Sequence, residues 1–208
     1  SFVDPQTSEN IAYCSYDVRS GAPLSVPAAI INNTTPTLSS ISNITSCVGS
    51  TIPGINLTLS DAETSVSNLT VSATSSNTSL VINSDLVISG TNSKTLSITP
   101  LAGQTGTSTI TVVISDEQGA SVSKSFILTI NALPTAPTIS SGNNNIICSG
   151  NSISLTSNSS NNVQWYVNDN IINGATSGSY TATTSGIYTI KTTSNNCISN
   201  SSNSITIT

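Results

Sequence analysis

The sequence predicts an all-β fold: two β-sandwich domains in tandem, preceded by an extended N-terminal segment. Three observations predict it. Apolar residues recur at every second position in short β-branched runs, while helical periodicity is absent nearly everywhere. The runs are separated by breaks rich in Gly, Pro, Asn, Asp and Ser. Ser, Thr and Asn supply 97 of the 208 residues, whereas Leu, Ile, Val and Phe supply 52, a quarter of the chain and enough to build a core. Only 13 residues are charged, so self-repulsion does not hold the chain open.

In chain order, residues 1–36 are interrupted by Pro5, Pro23 and Pro27, and only Ala22 to Ile31 offers an apolar stretch. They are read as an extended segment, either a donor strand or the end of a preceding domain. Residues 37–131 carry the alternation Ile55/Leu57/Leu59, Leu69/Val71/Ala73, Leu96/Ile98, Ile110/Val112/Ile114 and Phe126/Leu128/Ile130. About seven strands suit one sandwich of this length. Residues 132–137 hold Pro134 and Pro137, which a central strand excludes, and form a stiff linker. Residues 138–208 repeat the pattern with Ile153/Leu155, Val163/Trp165/Val167, Tyr180/Ala182, a long run from Gly186 and a last run at Ile205–Ile207. The chain stops directly after that run, which leads us to expect a fragment or a processed piece.

The succession Leu57-Thr58-Leu59-Ser60-Asp61-Ala62-Glu63-Thr64, Leu69-Thr70-Val71, Ile98-Thr99-Pro100, Gly106 to Val112 and Ser115-Asp116 resembles the cadherin-like and Ig-like repeats of large bacterial surface proteins. Residues 137–208 resemble an Ig-like module of secreted proteins from Bacteroidetes-type bacteria, through Cys148-Ser149-Gly150, Val163-Gln164-Trp165-Tyr166, Ser185-Gly186-Ile187-Tyr188 and Cys197. The resemblance implies export, tandem Ig-like sandwiches and a structural or adhesive role. It transfers no ligand. Trp165 takes the place of the core tryptophan of such sandwiches, and Tyr188 suits a tyrosine corner. Both are structural core candidates. Ile190 stands where antibody-type domains place a cysteine, so a bridge of Cys148 to Cys197 would pin sheet ends.

Composition excludes several functions. No histidine is present, which removes a Ser-His-Asp triad, a Cys-His pair and any zinc site containing His. Four scattered cations, Arg19, Lys94, Lys124 and Lys191, against nine acids cannot form a nucleic-acid track. No apolar run approaches the roughly 20 residues of a membrane-spanning helix. No leader pattern opens the chain, so an exported protein would have had it removed or would carry it elsewhere. No G-x-S-x-G motif occurs, and no catalytic or cofactor-binding residue is assigned.

The four cysteines, Cys14, Cys47, Cys148 and Cys197, lack metal-ligand spacing and are read as two disulfides in an oxidising compartment. Of the three pairings, Cys14–Cys47 with Cys148–Cys197 is preferred because each bridge stays within one unit. Asp61, Glu63, Asp116 and Glu117 fall at strand ends and are the candidate calcium ligands, with solvated turn carboxylates as the competing reading. Alternation places Trp165 and Tyr166 on opposite faces, so only Tyr166 could meet a sugar. Sequons at Asn33, Asn43, Asn56, Asn68, Asn77 and Asn158 arise by chance in so Asn-rich a chain.

The expected function is a non-enzymatic, extracellular stalk segment of a bacterial cell-surface adhesin. Its expected partners are copies of itself, neighbouring tandem domains, or a surface glycan or protein, without nucleic acid or membrane insertion. Two alternatives are a filament subunit that donates its N-terminal segment and an accessory module of an exported enzyme.

Overall fold

The computed structural model describes residues 2–3, 10–11, 33–142, 144–148 and 150–208. The chain divides into two units, Ser1–Asn33 and Thr34–Thr208. In the first, β1 (Phe2–Val3) pairs antiparallel with β2 (Asn10–Ile11). The suggested donor strand, residues 22–31, lies outside the described residues, as does Cys14.

The second unit contains two sets of facing sheets, each with its own hydrophobic core. The first set is built from β3 (Thr37–Leu38), β4 (Ile44–Cys47), β5 (Ile55–Leu57), β6 (Leu59–Ser60), β7 (Thr70–Ser75), β8 (Leu86–Ser89), β9 (Lys94–Ile98), β10 (Gly106–Ser115) and β11 (Ser121–Asn131). One sheet runs β4-β11-β10-β7, with β4 parallel to β11. Opposite it, β5-β9-β8 continues through Thr58 into the pair β3-β6. The inward residues are those the alternation marks: Ile110, Val112, Ile114 and Leu128 are fully buried, and Phe126 and Ile130 nearly so. Leu80 and Val81 join this core from a loop, where no strand periodicity announces them. Between β8 and β9 the chain turns at Gly90, whose positive φ of 89° and close approach to the Ser93 carbonyl leave no room for a side chain.

The second set comprises β12 (Ile139–Ser141), β13 (Ile153–Ser157), β14 (Val163–Val167), β15 (Asn170–Ile171), β16 (Ser179–Ala182), β17 (Gly186–Ser194), β18 (Cys197–Ile198) and β19 (Ile205–Ile207). Its sheets run β12-β13-β16 and β15-β14-β17, with β18 and β19 both antiparallel to β17. The two-residue turns Asn168-Asp169 and Asn195-Asn196 have positive φ at both positions, the geometry that matches hairpin twist and that Asn and Asp tolerate. In the core the Trp165, Tyr180 and Tyr188 rings stack in sequence, with centroids 5.9 and 5.8 Å apart. Trp165 is fully buried and donates its indole N–H to the Ser177 carbonyl at 2.8 Å. The Tyr188 hydroxyl donates to the Thr184 carbonyl at 2.9 Å, a tie four residues back along the chain.

Between β18 and β19 the last strand leaves the ladder, and two buried serines take over. Ser199 Oγ accepts the Thr192 N–H at 3.0 Å and donates to the Asn200 carbonyl at 2.7 Å. Ser202 Oγ accepts the Ile190 N–H at 3.0 Å and donates to the Asn203 carbonyl at 2.7 Å. Each hydroxyl thereby stands in for a strand partner of β17.

The cysteines depart from the expected pairing. Cys47, at the end of β4, is bonded to Cys197, at the start of β18, across 150 residues of sequence. Cys148 is free and exposed. The preference for bridges within a unit assumed that loop proximity decides partners. What decides here is where the strands end: the parallel pairing of Cys47 with Asn131 carries it to the linker end of β11, where the Asn195-Asn196 turn also lies. Asn131 Nδ2 donates to the Asn195 carbonyl at 3.4 Å beside the bond. The linker and the disulfide therefore give two covalent connections between the sandwiches.

Two outcomes follow. Ser202→Ala leaves the buried Ile190 N–H unpaired and lowers stability by about 1–3 kcal/mol, read from the urea transition followed by Trp165 fluorescence, while exposed Ser201→Ala changes it by less than about 0.5 kcal/mol. Peptide mapping without reduction yields a Cys47–Cys197 cross-linked pair, and Cys148 takes an alkylating label before any reductant is added. Recovery of a Cys148–Cys197 peptide would contradict this topology.

Candidate functional site

Three regions hold the candidate residues. The first is the pole of the first sandwich where β6 ends and the β10–β11 hairpin turns. Asp61 closes a turn by accepting the Glu63 and Thr64 N–H groups on Oδ1, at 3.0 and 2.7 Å. Asp116 does the same for its hairpin: Oδ1 accepts Gln118 N–H at 2.9 Å and Ala120 N–H at 2.8 Å, with Gly119 at φ 95° completing the reversal. Buried Thr64 joins the turns by donating from Oγ1 to Gln118 Oε1 at 3.2 Å.

The four acidic candidates separate into two kinds at this pole. Exposed Glu63 is engaged by Thr34, whose Oγ1 and N–H reach its Oε2 at 2.6 and 3.2 Å. Glu117 is exposed and accepts Asn68 Nδ2 at 3.1 Å. Asp61 and Asp116, by contrast, each keep a buried Oδ2. Among the described residues no group of three or more His, Cys, Asp or Glu side chains converges as a metal site. Asp169 sits apart from this pole, in the β14–β15 turn.

The second region is the junction at Cys47 and Cys197. Beside it a cleft of about 380 Å³ is lined by Val48, Ile52, Ile98, Pro100, Leu101 and Ile130 among others, and by no carboxylate or amine. Ser50, Thr51, Ser97, Thr99 and Gln104 complete its lining. The third region is the outward face of β14 and β17. Half-buried Tyr166 lies there with Lys191 Nζ 5.1 Å from its ring centroid, and it pairs across the ladder with exposed Ile171. Trp165 points the other way and offers no surface to a sugar. Sequence reasoning placed these aromatic faces by alternation alone. It missed the Cys47–Cys197 partnership, which depends on a parallel strand pairing that no local pattern encodes.

No helix among the described residues is long and apolar enough to cross a membrane. No curated protein sequence matches the chain. Among solved structures, titin domains A168–A170 resemble it with a TM-score of 0.50 and 13% identity, over 83% of this chain and 65% of that one. The fibronectin(III)-like modules of Clostridium thermocellum CbhA give a TM-score of 0.41 at 17% identity, over 83% and 93% of the two chains. The Ig1-2 module of the Drosophila receptor protein tyrosine phosphatase DLAR gives 0.36 at 16%, over 84% and 98%. The chain thus spans 65% of the titin fragment, and at this identity the likeness concerns the fold alone. The sheet order, the two buried cores and the Tyr188 tie agree with an Ig-like architecture, and the family described as "Bacterial Ig domain" matches residues 15–129, more than half of the sequence. The chain belongs to the bacterial Ig domain family.

Proposed function

We propose that the chain is a non-enzymatic, extracellular, load-bearing spacer of a bacterial cell-surface adhesive protein. One observation carries the reading: the Cys47–Cys197 bond, which ties the two sandwiches together outside their linker. Such a bond persists in an oxidising compartment. It also limits how far the chain can be drawn out. Tension entering at residue 1 and leaving at residue 208 crosses from Cys47 to Cys197 through sulfur, so the residues between them cannot extend. A spacer needs this property, because its length must survive pulling. Support also comes from family membership. The ordinary use of such sandwiches is to hold or present other surfaces, and any partner docked here is a neighbouring domain, a second copy or a surface ligand.

Single-molecule pulling of the full chain from both termini tests the reading. The oxidised protein yields only the length of the residues outside the bond. Adding reductant releases about 500 Å more, from the 150-residue separation at roughly 3.6 Å per residue. If the oxidised chain already extends to its full contour, the load-bearing reading is lost.

A further inference from the structure

We propose that Asn173 is a self-modification site: the Gly174 amide nitrogen closes on its carboxamide, and the isoaspartate that results loosens the hold of this turn on Trp165. Asn173 is the only asparagine of the chain followed by glycine. It sits at the tip of a reverse turn between β15 and β16, closed by the Ala175 N–H donating to the Ile172 carbonyl at 3.1 Å. Asn173 and Gly174 are both exposed. Among the described residues the Asn173 carboxamide has no hydrogen-bond partner, and neither has the Gly174 N–H. The side chains of Asn43, Asn83, Asn158, Asn168 and Asn203 are instead pinned, each accepting a backbone N–H on its carboxamide oxygen. Each of those five also precedes a residue with a side chain, which crowds the following nitrogen. Gly174 has no such side chain, and the space where one would stand is open.

The reaction needs only water as its second reactant. The Gly174 nitrogen loses its proton and attacks Asn173 Cγ. A bond forms between them, the bond from Cγ to Nδ2 breaks, and ammonia leaves with a proton taken from water. A five-membered succinimide remains. Water then adds to one of the two ring carbonyls. Addition at Cγ breaks the new bond and leaves aspartate on an unaltered main chain. Addition at the Asn173 backbone carbon breaks the old peptide bond instead, so the main chain runs through Cβ and Cγ and gains one methylene. Either product carries one negative charge, and nothing is oxidised or reduced. Ring closure turns the peptide between Asn173 and Gly174. The single bond across the turn must open for this, as exposed tips of low local stability do.

The flanks of the turn give the change its consequence. The Ala175 carbonyl accepts the Trp165 N–H at 3.0 Å, and the Ile172 N–H donates to the Trp165 carbonyl at 3.0 Å. Both backbone polar groups of the core tryptophan are thus held by the residues on either side of the tip. Gln164 Nε2 adds a bond to the Ile172 carbonyl at 2.6 Å, and Ile172 and Ala175 pack against the second core. A main chain lengthened by one methylene between Ile172 and Ala175 cannot keep both bonds to Trp165 in register. The inference is independent of the load-bearing reading, since it involves neither tension nor the disulfide.

The test is incubation of the folded full chain in neutral and mildly alkaline buffer, followed by peptide mapping and amide hydrogen exchange. The Asn173 peptide gains the mass difference between an amide and an acid ahead of every other asparagine peptide. Its rate rises about tenfold per pH unit, because the attacking nitrogen must first lose its proton. Electron-based fragmentation identifies isoaspartate as the main product. In the isoaspartyl fraction the Trp165 and Ile172 amides exchange about tenfold faster, or more, than in the fresh chain, as for a lost hydrogen bond. Asn173→Asp, with the same charge on an unaltered main chain, keeps the slow exchange. Gly174→Ala and Asn173→Gln accumulate little product; the second serves if the positive φ of 79° at position 174 keeps the alanine variant from folding. Modification confined to a chain unfolded in urea, equal gain at other asparagines, or unchanged Trp165 exchange in the isoaspartyl fraction would overturn the inference.

Discussion

Asn203 holds both backbone polar groups of Ile139, accepting the N–H at 2.8 Å and donating to the carbonyl at 2.9 Å. Asn43 accepts from Ile127, Asn83 from Ser75, Asn158 from Thr138 and Asn168 from Ile187, all at 2.8 or 2.9 Å. These bonds meet a constraint that governs the whole chain. Short strands leave many backbone groups beyond the reach of a ladder, and a buried N–H without an acceptor is costly. Here the side chains finish what the strands leave open. An asparagine amide copies the donor and acceptor of a peptide, so it can replace a missing partner strand at single positions. The composition that makes the chain look featureless is thus a supply of substitute backbone. Ser199 and Ser202 apply the same logic inside the second sandwich, where the last strand swings away from β17.

Much of the fold is legible in the sequence because alternation reports burial directly. Ile110, Val112 and Ile114 could be assigned to one face without any tertiary information, as could Phe126, Leu128 and Ile130. Trp165 and Tyr166 were separable for the same reason. What stayed hidden depends on relations between distant strands. Leu80 and Val81 enter the core from a loop, with no period to mark them. The partner of Cys47 follows from a parallel pairing of β4 with β11, and parallel pairing leaves no local trace. At the acidic pole, residue types alone made four equal candidates. Only the hydrogen bonds separate Glu63 and Glu117, which face solvent with partners, from Asp61 and Asp116, which turn an oxygen inward.

The two poles of the first sandwich carry different kinds of restraint. At one, turns are closed by carboxylates and joined through Thr64 and Gln118. At the other, a covalent bond and the Asn131–Asn195 contact fasten the following sandwich. The core between them is entirely apolar in its fully buried large side chains, Leu80, Leu96, Ile110, Ile114 and Leu128. Charge is nearly absent throughout, so little of this stability responds to salt. Closing a loop of 150 residues restricts the unfolded chain by about 5 kcal/mol in the entropic description.

The same long loop sets a problem of order during biogenesis. A polypeptide emerges from its N-terminus, so Cys47 and the exposed Cys148 are both available before Cys197 has been made. A bond between those two would close first and trap the linker inside a wrong ring. Native oxidation therefore requires either that the first sandwich fold early enough to keep Cys47 from Cys148, or that an exchange reaction return the wrong bond to the right partner. Because Cys197 opens β18, the correct bond can form only after β12 to β17 have been made. The disulfide that ties the two sandwiches therefore waits on the synthesis of most of the second.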